Sequence, residues 1–172
     1  MITLITGGSK CGKSSLAEKI LDKFSGRKYY IATMRPYGSE AYDAIERHRK
    51  MRYGKGFETI EKYTGLNEIV IPEKSAVLLE CMGNLCANEM FGDKIINPVQ
   101  KITDSIRYLD SISEILVIVT NEVGADGINY SSETMDYISY MGEINRNTAD
   151  FADNVIECIY GIPVVRKGAL CY

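Results

Sequence analysis

"MITLITGGSKCGKSSLAEKI", residues 1–20, decides the fold. Residues 1–6 form a short apolar, β-branched run that Gly7-Gly8 stops, the pattern of a buried parallel strand. From Ser14 to Phe24, Leu16, Ala17, Ile20, Leu21 and Phe24 recur at helical spacing. Between strand and helix, "GGSKCGKSS" (7–15) fits G-x-x-x-x-G-K-[ST] through Gly7, Gly12, Lys13 and Ser14. Glycines let the backbone wrap phosphate oxygens with its N–H groups turned inward. The helix that follows presents its positive end. Lys13 can reach the β- and γ-phosphates, and the Ser14 hydroxyl can ligate Mg²⁺. A Gly-rich turn is the plain alternative, but a chance match in a chain of this size is on the order of 1%. The strand before and the helix after are the context that makes the motif a phosphate loop.

Further apolar runs alternate with helical patterns. Strands are predicted at 28–33, 57–61, 75–81, 114–122, 154–161 and 162–168. Helices are predicted from about Glu40 to Arg49 with Ser39 as cap, from Pro98 to about Ile112 behind an Asn97 cap, and from Ser132 to Phe151. This alternation specifies an α/β fold with a mainly parallel sheet flanked by helices. Gly161 leaves so little chain between the last two strands that they pair antiparallel. The 172 residues fit one domain, and 45% hydrophobic content is enough for a core. In such sheets ligands bind at the carboxyl ends of strands, and each motif falls just after one. Glu80 and Glu122 end two apolar strands, where P-loop proteins place an acid near Mg²⁺.

The formal net charge of −3 provides no global field for nucleic acid or anionic membrane. No apolar run reaches the ~18 residues of a membrane span, and no signal peptide is read at the start. Five cysteines without a CxxC pair, together with one histidine, predict no zinc site and a reduced, cytoplasmic setting.

The single histidine, His48, lies in "AIERHRKMRYGKG" (44–56) with Arg47, Arg49, Lys50, Arg52 and Lys55. Ala41, Ala44, Ile45 and His48 are spaced by three and four, so one reading is a histidine on an inward helix face. The phosphate loop favours another. Neutral imidazole can attack phosphorus to form a phosphoramidate. Neighbouring cations lower its pKa and stabilise charge that develops on the phosphates. A solvated helix face remains the reading for one or two of these cations.

These segments resemble the bifunctional adenosylcobinamide kinase / adenosylcobinamide-phosphate guanylyltransferase family of cobalamin biosynthesis. The resemblance rests on "TGGSKCGKS" (6–14), "YIAT" (30–33), "IERHR" (45–49), "TIE" (59–61), "LLEC" (78–81), "VTNEVG" (119–124) and "GEIN" (142–145). It implies a RecA-like P-loop core, a homotrimer, and two reactions. The first phosphorylates the aminopropanol hydroxyl of adenosylcobinamide with GTP or ATP. The second transfers GMP from GTP to that phosphate through a guanylyl-histidine, here His48. Implied GTP contacts fall on Gly7, Gly8, Ser9, Lys10, Cys11, Gly12, Lys13 and Ser14. The others are Ala32, Thr33, Met34, Arg49, Lys50, Met51, Arg52, Glu61 and Glu80. Mg²⁺ falls to Ser14 and Glu80, and no nucleic acid is expected. Two other readings stay open: a simple P-loop kinase with a structural His48, and a RecA-like module that binds nucleic acid through residues 47–55. Against the latter stand the negative net charge and a basic cluster with no aromatic but Tyr53 among it.

Overall fold

The computed structural model describes residues 1–92 and 95–170; the side chains of Ser39, Glu40, Ala41, Ala44, His48 and Met51 lie outside the described residues. Among the described residues seven strands form one sheet: β1 (Ile2–Thr6), β2 (Lys28–Ala32), β3 (Phe57–Glu61), β4 (Ala76–Glu80), β5 (Ile115–Val119), β6 (Asn154–Ile159) and β7 (Ile162–Lys167). Their order is β3-β2-β4-β5-β1-β6-β7. All pairings are parallel except β6 with β7. The helices are α1 (Lys13–Leu21), α2 (Gly38–Arg52), α3 (Met82–Ala87), α4 (Pro98–Ile112) and α5 (Ser132–Phe151).

The central strands are apolar on both faces because helices cover both. On one face Leu85, Ile102, Ile106, Leu109, Met141 and Ile144 of α3–α5 pack over Ile31, Val77, Leu79, Leu116 and Ile118. On the other, Leu16, Ala17, Ile20 and Leu21 of α1 pack over Ile5, Tyr30, Leu78, Val117 and Ile156. Alternation along β4, Val77 and Leu79 one way and Ala76 and Leu78 the other, follows from the two-residue period of a strand.

Parallel register sets the site. Ala32 lies level with Glu61 on one side and Glu80 on the other. Glu80 is level with Val119, which is level with Ile5. Thr6 is level with Glu157. The strand ends therefore form one row, with the phosphate loop leaving β1 in its midst.

The elements match the sequence reading with local differences. Helix α2 begins at Gly38, so Ser39 lies inside it and is not its cap. Tyr37 holds the extended backbone that a flanking position requires, with no side-chain cap. Asn97 does cap α4, its Oδ1 accepting the Gln100 N–H at 3.1 Å. Strand β5 stops at Val119, and Thr120 to Glu122 leave the sheet as a loop. Helix α3 and the wider π-turn Asn88–Gly92 lie in a segment that the pattern left unassigned. Of the inward face expected on α2, only Ile45 has a described side chain, and it is half-buried. No helix among the described residues is long and apolar enough to cross a membrane.

Leu78 is fully buried between α1 and the sheet. Leu78→Ala is expected to lower unfolding free energy by about 2–5 kcal/mol. Urea titration of both proteins measures it.

Candidate functional site: the phosphate loop and its flanks

The loop's backbone is forced by its neighbours. Gly7 has φ +138, and a Cβ there would lie 2.4 Å from the Cys158 carbonyl oxygen. Gly12, at φ +102, precedes the first turn of α1. Lys10 also adopts a left-handed conformation, φ 57. Left-handed residues among right-handed ones can turn neighbouring N–H groups to one side, making a concavity suited to anions. The first N–H groups of α1 add donors that no helical carbonyl takes up. Lys13 is buried, and its ammonium donates to the carbonyls of Gly7 (3.0 Å) and Gly8 (2.6 Å). The fold thus stations a cation inside the loop.

A second group assembles beside it. The Ser14 hydroxyl donates to Glu80 Oε1. Glu80 is nearly buried, and the Tyr30 hydroxyl shares it. Burial, followed by the negative charge of Glu80, pushes the Tyr30 phenol well above its ordinary value, so Tyr30 stays a neutral donor. Over the Tyr30 ring sits the Arg52 guanidinium, 3.3 Å from the centroid and only 7% exposed. Arg52 comes from the last turn of α2, so stacking on Tyr30 ties that helix end to the site. Position 48 lies one helical turn before Arg52; the His48 side chain is outside the described residues, as is that of Met51.

The remaining expected contacts divide. Arg49 reaches across to β3 and pairs with Glu61 at 2.6 Å, and the Tyr63 hydroxyl donates to Glu61 at 3.2 Å. Lys50 is exposed and pairs back along α2 with Glu46 at 3.8 Å. It belongs to the solvated face. Lys55 pairs with the buried Glu18 of α1. Thr33 is buried, and its hydroxyl is engaged with the Cys81 backbone, 2.8 Å from both its N–H and its carbonyl. Its side chain braces the ends of β2 and β4, and its backbone is engaged too: the N–H donates to the Glu80 carbonyl at 3.1 Å and the carbonyl accepts from Asn88 Nδ2 at 2.8 Å. Ala32 and Met34 flank it, half-buried. Glu122 joins the loop on its far side, donating its N–H to the Gly7 carbonyl at 3.4 Å.

That far side is a cleft of about 640 Å³ lined by Gly7 to Gly12, Glu122 and the residues 157–161. The turn between β6 and β7 is attached to the loop. Gly161 donates to the Cys11 carbonyl at 2.8 Å, and the Cys158 thiol donates to the same oxygen at 3.1 Å. Burial, and next the Cys11 thiol, raise the Cys158 pKa, so it stays a thiol. Cys11 and the other described cysteines form no disulfide; Cys171 lies outside the described residues. Sequence reasoning missed Tyr30 and this wall. "YIAT" includes Tyr30 but does not tell what its hydroxyl and ring meet, and the turn reaches the loop only through β1–β6 pairing.

Mg²⁺ usually takes one or two protein oxygens and completes its shell with phosphates and water. The paired Ser14 hydroxyl and Glu80 carboxylate are hard oxygen donors that fit such an ion. Among the described residues no three His, Cys, Asp or Glu side chains converge on a metal site.

Comparisons with known proteins bear on the family and the fold. The family model described as "CobU: Cobinamide kinase / cobinamide phosphate guanyltransferase" matches residues 3–165. The "Bifunctional adenosylcobalamin biosynthesis protein CobU" of Escherichia coli (strain K12) is 31% identical over 97% of this chain and 100% of its own length. The "Bifunctional adenosylcobalamin biosynthesis protein CobP" of Pseudomonas aeruginosa is 25% identical over 98% of both. Solved structures share the fold at low identity. One is an ATPase from the type III secretion system of pathogenic bacteria, with TM-score 0.52 and 13% identity, covering 96% of this chain and 56% of that one. Another is a Pyrococcus horikoshii OT3 protein, with TM-score 0.54 and 8% identity, covering 97% of this chain and 86% of that one. The fold is therefore the P-loop, mainly parallel α/β sheet with an antiparallel C-terminal strand, and the chain belongs to the cobinamide kinase / cobinamide phosphate guanyltransferase family.

Proposed function

We propose that this protein phosphorylates adenosylcobinamide with a nucleoside triphosphate. It then transfers GMP from GTP to adenosylcobinamide phosphate through a guanylyl group carried on His48. One observation carries the reading beyond family membership. Buried Arg52 joins the end of α2, the helix that contains His48, to the Ser14–Glu80 pair beside the phosphate loop.

The loop amides and Lys13 bind the triphosphate and neutralise its charge. Ser14 and Glu80 would hold Mg²⁺, which when bound draws charge from the phosphates. In the first reaction the substrate hydroxyl attacks the γ-phosphorus directly, which requires positioning but no protein nucleophile. In the second, neutral His48 attacks the α-phosphorus of GTP and pyrophosphate leaves. The phosphate of adenosylcobinamide phosphate then displaces the histidine. Arg52 and Arg49 offer charge to the phosphates during both displacements. Two inversions at one phosphorus give net retention. A homotrimer and a cytoplasmic setting belong to the same proposal and rest on family resemblance alone.

His48→Ala tests it. Adenosylcobinamide-GDP formation is expected to fall by at least about 10³-fold, because no second histidine replaces the nucleophile. Adenosylcobinamide phosphorylation is expected to stay within about tenfold of wild type. Equal loss of both activities would make His48 structural and leave a different reading of the second step.

Lys13→Ala is expected to lower both activities by about 10²-fold or more, since the ammonium serves phosphates in each. A folded variant with both activities intact would remove the phosphate-loop assignment. Glu80→Gln is expected to weaken Mg²⁺-dependent GTP binding while leaving metal-free binding near wild type. Calorimetry with and without Mg²⁺ reads the difference, and unchanged Mg²⁺ dependence would shift the metal role to Glu122.

A further inference from the structure

The residues expected to contact GTP leave one wall of the phosphate loop without a role. Residues 32–34, 49–52, 61 and 80 all lie on the β2–β4 side of β1. The 640 Å³ cleft lies on the β6 side, between the loop and the β6–β7 turn, and none of those residues lines it. We propose that this cleft is a nucleoside subsite, in which Tyr160 and Ile159 receive the base of a triphosphate whose phosphates lie on residues 7–14. The inference rests on the reading that the loop binds a nucleoside triphosphate.

Four features of the cleft point to a nucleoside. Its volume falls within the range of about 300–1,000 Å³ typical of small-molecule sites. Its wall carries Tyr160, 94% exposed, and Ile159, 37% exposed. An aromatic face stacks any base, and an aliphatic neighbour extends the apolar platform. The wall is also pre-positioned. Tyr160 adopts a left-handed backbone, φ 51, uncommon for a bulky residue, and the Gly161 and Cys158 bonds to the Cys11 carbonyl hold the turn against the loop. Finally, Glu122 and Glu157 line it too. Glu157 is held by Arg166 at 2.8 and 2.5 Å. Carboxylates accept hydrogen bonds and repel phosphate, so they suit ribose hydroxyls and base N–H groups.

Two nucleotide orientations on one loop follow. Phosphoryl transfer must bring the terminal phosphorus to the acceptor, with the nucleoside directed away from it. Guanylyl transfer must bring the α-phosphorus to α2. A triphosphate with its base in the β6–β7 cleft meets the first requirement. One with its base toward α2 meets the second.

The test uses the imidotriphosphate analogues of adenosine and guanosine, and inorganic tripolyphosphate, each with Mg²⁺. Dissociation constants are measured for wild type, Tyr160→Ala and Tyr160→Phe. For at least one of the two analogues, Tyr160→Ala is expected to weaken binding about tenfold. Tyr160→Phe should stay near wild type, and tripolyphosphate affinity should not change in either variant. The exposure of Tyr160 makes both substitutions compatible with folding. Unchanged affinity for both analogues in Tyr160→Ala overturns the subsite. So does equal weakening of analogue and tripolyphosphate, which would make the turn a brace for the loop. A wild type that binds neither analogue more tightly than tripolyphosphate overturns it as well. If the analogue alone weakens yet wild type phosphorylates no adenosylcobinamide, the subsite stands and the kinase reading fails.

Discussion

The missing side chain of Gly7 is the constraint on which the rest of the structure depends. A methyl group there would sit 2.4 Å from the Cys158 carbonyl oxygen, well inside contact distance. Without it, the end of β1 lies flush against β6, and the chain turns at once into the phosphate loop. Lys13 then falls back over the Gly7 and Gly8 carbonyls, and Ser14 faces Glu80. Any residue larger than glycine would push β1 from β6 or swing the loop outward. Either movement separates Lys13 and Ser14 from the strand ends that complete the site.

Charge is distributed in depth. Lys13 and Arg52 are buried cations, and Glu80 is a buried anion. Burying charge without partners costs several kcal/mol, so such groups persist where they are hydrogen-bonded or stacked. Lys13 uses loop carbonyls, Arg52 the Tyr30 ring, and Glu80 the hydroxyls of Ser14 and Tyr30. Phosphates entering the loop would offer Lys13 stronger acceptors than those carbonyls. By contrast, Arg49–Glu61 and Lys50–Glu46 are solvent-exposed pairs, each worth about 0–1 kcal/mol. The basic run at 47–55 therefore contains a buried, stacked cation, Arg52, beside exposed cations held by carboxylates.

How much of this was legible depended on range. Strand β1, the phosphate loop and α1 follow from twenty consecutive residues, because a strand period, a glycine loop and a helix period are local signals. The Asn97 cap and the β6–β7 hairpin were local too. Glu80 was legible as the end of an apolar strand, yet its bond to Ser14 arises from the β4–β5–β1 register. Tyr30 under Arg52 was not legible, since it requires β2 beside β4 and the full length of α2. The start of that helix was misplaced because Ser39 suits a cap by type, whereas the extended backbone fell at Tyr37. The cleft wall at 157–161 was hidden for the same reason as Tyr30: it joins residues about 150 positions apart in the chain.

The central claim is that α2 presents a nucleophile to a triphosphate held on the loop. The most direct measurement is to incubate the wild-type protein with α-labelled GTP and Mg²⁺, digest it at alkaline pH where a phosphoramidate survives, and locate the label by peptide mass. The account predicts stoichiometric pyrophosphate release and a single GMP adduct on His48. An adduct on any other residue, or substrate guanylylation at full rate with no protein adduct formed, would contradict it.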